Sequence, residues 1–257
     1  MNCIIPFISE LLLRNPLLFW FGCANIIAAF ICLPLILITK TKILGVNAWI
    51  KPLKFFLSIA IFTWTMAWYL QYLNDPSKTT AYTWALILIL AFENTYIAIK
   101  AAKGQLSHFN DSSTFNRTMF TIMGVAISIL TAWTAYIGIL FFTKDAPQLS
   151  PAYLWAIRLG ILIFVIFAFQ GAAMGGRMAH TVGATDGGPG IPILNWSKSH
   201  GDLRISHFLG MHALQILPLT AYFCIQTLSG ILVFAIMYFL TTSLILSRAL
   251  KGKPLFS

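Results

Sequence analysis

The chain has 257 residues, 58% of them hydrophobic and only 9% charged, with a mean hydropathy of +0.81 and a formal net charge of +10. Soluble domains carry roughly 25% charged residues, so this composition excludes an ordinary soluble globule and defines a membrane protein. The basic excess would suggest nucleic acid in a soluble chain, but here it sits at the ends of apolar segments and reads as membrane orientation, with no nucleic-acid partner.

A spanning helix needs ~20 mostly apolar residues, and seven segments meet that need. The opening MNCIIPFISELLLRNP lacks the basic stretch and small-residue cleavage site of a signal peptide, and reads as a short interfacial segment. The first span is expected over 17–39, between Asn15-Pro16 and the basic Lys40-Thr41-Lys42 turn. The second, 49–73, opens on Ile50-Lys51-Pro52-Leu53-Lys54, where proline is tolerated in a first turn and lysines snorkel to the headgroups. The third, 80–102, follows Asn74-Asp75-Pro76 and carries Glu93-Asn94 within it. The fourth, 115–142, holds a stripe of small residues, Thr121, Gly124, Ser128, Thr131, Ala135 and Gly138, expected to be a packing seam. The fifth, 151–178, ends in a GxxxG at Gly171 and Gly175, again expected to pack closely. A Gly-rich loop, 179–202, cytoplasmic or re-entrant, leads into the sixth span, 203–226. Pro218 there should free the Leu214 carbonyl and bend the helix. The seventh span is 229–250. The four cysteines have no ligand spacing; Cys23, Cys32 and Cys224 fall in apolar runs and read as packing. The expectation is an all-α polytopic bundle of about seven transmembrane helices forming a single integral membrane domain over 1–257.

Orientation follows from the basic residues. Thirteen of the seventeen gather on one side; Arg14, Lys78 and Lys144 lie on the other, and Arg158 lies within a span. The C-terminus is therefore expected in the cytoplasm and the N-terminus outside.

Candidate chemistry concentrates between Arg177 and Pro218, which hold four of the five histidines, His180, His200, His207 and His212, with Asp186 and Asp202. Imidazoles are common metal ligands, so His108, His180, His207 and His212 are candidate ligands, with His108 and His212 a pair for haem b. Glu93, the one acid in the core of a span, and Asp186 are the candidate catalytic acids. Glu93 has the second span's lysines, Arg158 or a histidine as candidate partners. His207 and His212 are five residues apart, about 140° around a helix, and cannot both point at one centre. His212 and Gln215 share a face. His200, in Lys198-Ser199-His200, reads as exposed.

The strings NAWIKPLKF, GQLSHFN, HTVGATDGGPG and GDLRISHFLGMHALQ resemble a family of uncharacterised bacterial multi-pass membrane proteins over about 47–218. The resemblance implies a bacterial inner-membrane location and carries no activity. Three functions fit the residues. One is an enzyme depending on a transition metal or haem b and acting on a lipid-like or small-molecule substrate. The second is a proton-coupled small-molecule transporter using Glu93 and His212. The third is a non-catalytic module that binds lipid or a partner through its basic edge.

Overall fold

The computed structural model describes residues 4–144 and 146–255. Eight helices carry the architecture: α1 (Ile4–Arg14), α2 (Pro16–Ile38), α3 (Ile50–Leu70), α4 (Pro76–Ala102), α5 (Thr114–Thr143), α6 (Pro151–Arg177), α7 (Leu203–Phe223) and α8 (Leu228–Leu250). Two short hairpins add β1 (Lys42–Ile43) with β2 (Val46–Asn47) and β3 (Thr181–Val182) with β4 (Gly201–Asp202). Among the described residues, six helices, α2 to α6 and α8, are long and apolar enough to cross a membrane. The segment expected as the sixth span is the helix α7 of 21 residues, whose Arg204, His207, His212 and Gln215 lower its apolarity. The chain divides within α5, between Leu130 and Thr131, into two compact units.

In the first unit, helix starts are written in the sequence. Asn15 accepts from the Leu18 amide at 3.0 Å and Asp75 from the Lys78 amide at 3.3 Å, each just ahead of a proline in the first turn. Helices α2 and α3 pack through Gly22, where a Cβ would lie 2.0 Å from the Trp64 indole nitrogen. That indole donates to the Phe19 carbonyl at 3.1 Å. The β1–β2 turn, Leu44-Gly45, has positive φ at both positions, as a two-residue hairpin requires. Asn47 then donates to the Ile36 and Thr39 carbonyls, at 3.0 and 2.8 Å, closing the end of α2. The opening segment is the helix α1, with Leu11 buried and Ile5 and Leu13 exposed.

In the second unit α6 and α7 form the tightest pair, because glycines let their backbones meet. A Cβ at Gly160 would lie 3.0 Å from the Ala213 carbonyl oxygen, and one at Gly210 2.1 Å from Phe167. The GxxxG expectation holds at Gly171, which abuts His207, but Gly175 faces open space. The α5 stripe also divides. Thr131 and Gly138 are buried, with Gly138 against Ile161. Thr121, Gly124 and Ser128 are exposed, and the two hydroxyls bond carbonyls on their own helix, those of Arg117 and Gly124. Arg158 is an anchor inside this unit, donating from Nε to the Phe141 carbonyl at 2.8 Å. Cys32 is buried, Cys23 partly buried and Cys224 exposed, all three free thiols.

Candidate functional site

Glu93 sits on the buried face of α4, 8% exposed, in a helix otherwise built of apolar residues. Its Oε1 lies 3.6 Å from Nε2 of His108, in the loop that follows α4. This is close electrostatic contact, slightly longer than a hydrogen bond. The Ser107 hydroxyl lies 3.2 Å from the imidazole's other nitrogen. Phe55, Phe109 and Phe120 surround the ring, with centroids 5.7, 6.3 and 5.9 Å away. Burial among these rings lowers the His108 pKa below its ordinary value, and the Lys51 ammonium lowers it further, against the opposite pull of Glu93. The sequence offered Glu93 several partners. The structure gives it the histidine, with a lysine of α3 beside that histidine.

Next to Glu93, Asn94 donates to Asn25 Oδ1 at 2.7 Å, and Asn25 donates to the Phe21 carbonyl at 2.8 Å. The Asn94 side-chain oxygen Oδ1 is buried with no hydrogen-bond partner among the described residues, as is the Thr63 hydroxyl. Such orphaned polar atoms mark places where a water, ion or proton carrier is accommodated. The sequence reading passed over Asn25. Its signal was a lone amide in the most apolar span. Lys100, two turns beyond Glu93, turns away from it and donates to Gln105 Oε1 at 2.8 Å and Asn116 Oδ1 at 2.6 Å.

In the second unit, the Gly-rich loop is a folded hairpin. Thr181 pairs with Asp202 and Val182 with Gly201, and Gly190 bridges to Ser197. Gly183 and Gly187 take positive φ, as glycine readily does, but so do Ile193 and Asn195. Gly190 is required for room instead, since a Cβ there would lie 2.4 Å from Asn195 Oδ1. Asp186 holds the hairpin's base. It accepts from the His180 and Thr181 amides at 3.2 and 2.9 Å and lies 3.1 Å from His180 Nδ1. Asp202, 1% exposed, caps α7, accepts from the Ser197 amide at 2.9 Å, and pairs with Arg204 at 2.6 Å. Burial alone would raise the Asp202 pKa, but Arg204 and the Ser197 amide hold it below the usual carboxylate value. Gly201 presses on the end of α8, where a Cβ would meet the Ala249 carbonyl.

The remaining histidines each have a local partner. His207 Nδ1 lies 2.6 Å from the Phe167 carbonyl oxygen, so Nδ1 carries the proton. His212 Nδ1 meets Gln215 Oε1 at 3.2 Å, and its ring lies 4.3 Å from Phe208. His200 contacts Ser199 at the surface. Thus Glu93 joins His108, Asp186 joins His180, and His207 and His212 are held separately. Among the described residues, no three His, Cys, Asp or Glu side chains gather into a group that could hold a metal ion. Both nitrogen and oxygen of the Gln170 amide, next to Gly171, are buried without partners.

Helix content and six membrane-compatible spans define the chain as an all-α, multi-pass integral membrane protein. No protein-family model, curated protein or solved structure matches it.

Proposed function

We propose that this protein is a proton-coupled membrane carrier of a small molecule, with Glu93 as its proton-binding acid and His108 as the acid's partner. The observation that carries the reading is the 3.6 Å contact of a carboxylate buried in a spanning helix with an imidazole of the adjoining loop. A carboxylate in lipid is expensive unless it is paired or protonated. An imidazole next to it is a group that can take up or return a proton. The orphaned side-chain oxygens of Asn94, on α4, and Thr63, on α3, lie in the first unit and suit the passage of a polar species.

In this reading α7 is the seventh span, the N-terminus is outside and the C-terminus is cytoplasmic, as the thirteen-to-three split of basic residues supports. His108 then faces the cytoplasm. The bacterial inner membrane as location rests on the resemblance of the four sequence strings.

The test is charge movement. Purified protein in vesicles adsorbed to a solid-supported electrode should give a transient current on a pH step, and Glu93→Gln should abolish it. A wild-type protein that gives no transient, or an unchanged transient in the variant, overturns the reading.

A further inference from the structure

Where α2 and α4 begin and α3 ends, the first unit holds a polar cavity of about 340 Å³, lined among others by Arg14, Gln71, Asn74, Asp75 and Thr80. It lies far from the acid of the carrier reading: ten residues of α4 separate Thr83, on its wall, from Glu93, about 15 Å along the helix.

Arg14 is fixed in place. Its guanidinium stacks on Trp68 and Tyr72, 4.0 and 4.7 Å from their ring centres. Nε donates to Glu10 at 2.8 Å and Nη1 to the Trp68 carbonyl at 3.0 Å. An arginine has five N–H donors, so three make no hydrogen bond among the described residues, in a side chain only 14% exposed. These donors remain accessible on a permanently charged group, and Arg14 lines the cavity beside them. The nearby acids are already engaged: Asp75 pairs with Lys78 at 3.2 Å, and Glu10, 47% exposed, meets Arg14 from the open side. The first turns of two long helices, α2 and α4, add partial positive charge to the same cavity.

We propose that this cavity binds a phosphate-type anion, with two or more of the free Arg14 N–H groups gripping its oxygens. A planar guanidinium matches such oxygens in a bidentate fork. The exposed amides of Gln71 and Asn74 and the hydroxyl of Thr80 supply donors from other sides. The volume exceeds a bare anion and leaves room for what the phosphate is attached to. At a membrane edge that phosphate comes from a lipid headgroup or from a free solute.

The experiment measures binding and is independent of proton movement, so it fails separately from the carrier reading. Full-length protein in a phosphate-free maltoside detergent is titrated with inorganic phosphate by calorimetry. In parallel it is incubated with phosphatidylglycerol or with a phosphate-free glycolipid, and retained lipid is read by native mass spectrometry. Arg14→Gln removes the fork. Thr80→Asp places a negative charge on the exposed wall and leaves the Arg14 contacts intact, which covers the case of an Arg14 variant that does not fold. Binding in the phosphate arm, or selective retention of phosphatidylglycerol, weakened at least about tenfold by Thr80→Asp, supports the site and names its source. No binding in either arm, or wild-type binding by Thr80→Asp, overturns it.

Discussion

Glu93 Oε1 and His108 Nε2 stand 3.6 Å apart, although one belongs to a spanning helix and the other to the loop after it. The loop returns because Gly104, at φ +65°, ends α4 and the Gln105 amide bonds back to the Lys100 carbonyl at 2.9 Å. The histidine is thereby placed beside the acid, among phenylalanine rings. His108 is expected to respond to pH. The His108 pKa is lowered from its ordinary 6.5, so the native state there binds fewer protons than the unfolded chain. Its contribution to stability is present above pH 6.5 and is lost as pH falls through the lowered native value. Melting temperatures in detergent should therefore fall on acidification more steeply in wild type than in His108→Gln. Parallel curves would show that His108 does not titrate in this way.

A second expectation concerns the α6–α7 seam. A Cβ at Gly210 would lie 2.1 Å from Phe167, whereas one at Gly175 meets nothing within 4 Å. Gly210→Ala should destabilise by about 1–3 kcal/mol. Gly175→Ala should be neutral or stabilising by up to ~1 kcal/mol, from helix propensity alone. Thermal unfolding of the two variants decides it; equal effects would contradict the packing.

The hairpin before α7 depends on Asp202. Removing one member of a buried pair leaves the other uncompensated, at about 3–5 kcal/mol. Asp202→Asn should cost close to that in thermal unfolding and should expose the 179–202 segment to protease. Asp186→Asn keeps the fold of α7 and should cost less. Since the Asp202 pKa is lowered from 3.8, its stabilisation persists above that value and is lost only as pH falls through the lower native one.

How far these relationships were legible in the sequence varies with their range. Helix starts were readable because Asn15-Pro16 and Asn74-Asp75-Pro76 are local signals, and Asn15 and Asp75 prove to be caps. Glu93 stood out because an acid in an apolar run is costly, but its partner depended on a loop returning to the helix. Spacing alone could not choose His108 over Lys100. The β1–β2 hairpin escaped notice because Leu44 takes positive φ without being glycine or asparagine. Arg14 was legible as a charge on one side of the membrane; its aromatic clamp of Trp68 and Tyr72 is 54 or more residues away in sequence.

His212 separates the carrier reading from a metal- or haem-dependent one. Its imidazole is held by Gln215 and Phe208, so His212→Ala should lower stability by a few kcal/mol at most and leave the pH-step transient in place. Chelator treatment should also leave it unchanged. His200→Ala, at a partly exposed residue whose ring contacts Ser199, should alter neither. A Soret band or stoichiometric transition metal lost with His212→Ala would favour the metal or haem reading instead.

The last expectation concerns α7 itself. With 21 residues it is about 31 Å long, enough to cross a hydrocarbon core of ≈30 Å. Its composition alone does not mark it as a span, because Arg204, His207, His212 and Gln215 interrupt the apolar run. The packing accounts for this. Gly210, Ala213, Leu214, Leu217 and Ala221 are buried in the second unit's core, so a spanning α7 would show lipid only part of its surface and would tolerate polar groups on the rest. Helix α8 is less buried and is apolar over most of its length. If α7 spans, its two ends lie on opposite sides of the membrane. Single cysteines at Gly188 and Thr227, in a chain whose native cysteines are replaced by serine, should then react with a membrane-impermeant maleimide from opposite sides. In right-side-out vesicles Thr227→Cys should label and Gly188→Cys should not, with the pattern reversed in inverted vesicles. Labelling of both from one side would make α7 re-entrant and the number of spans even, which would bring the two termini to the same face.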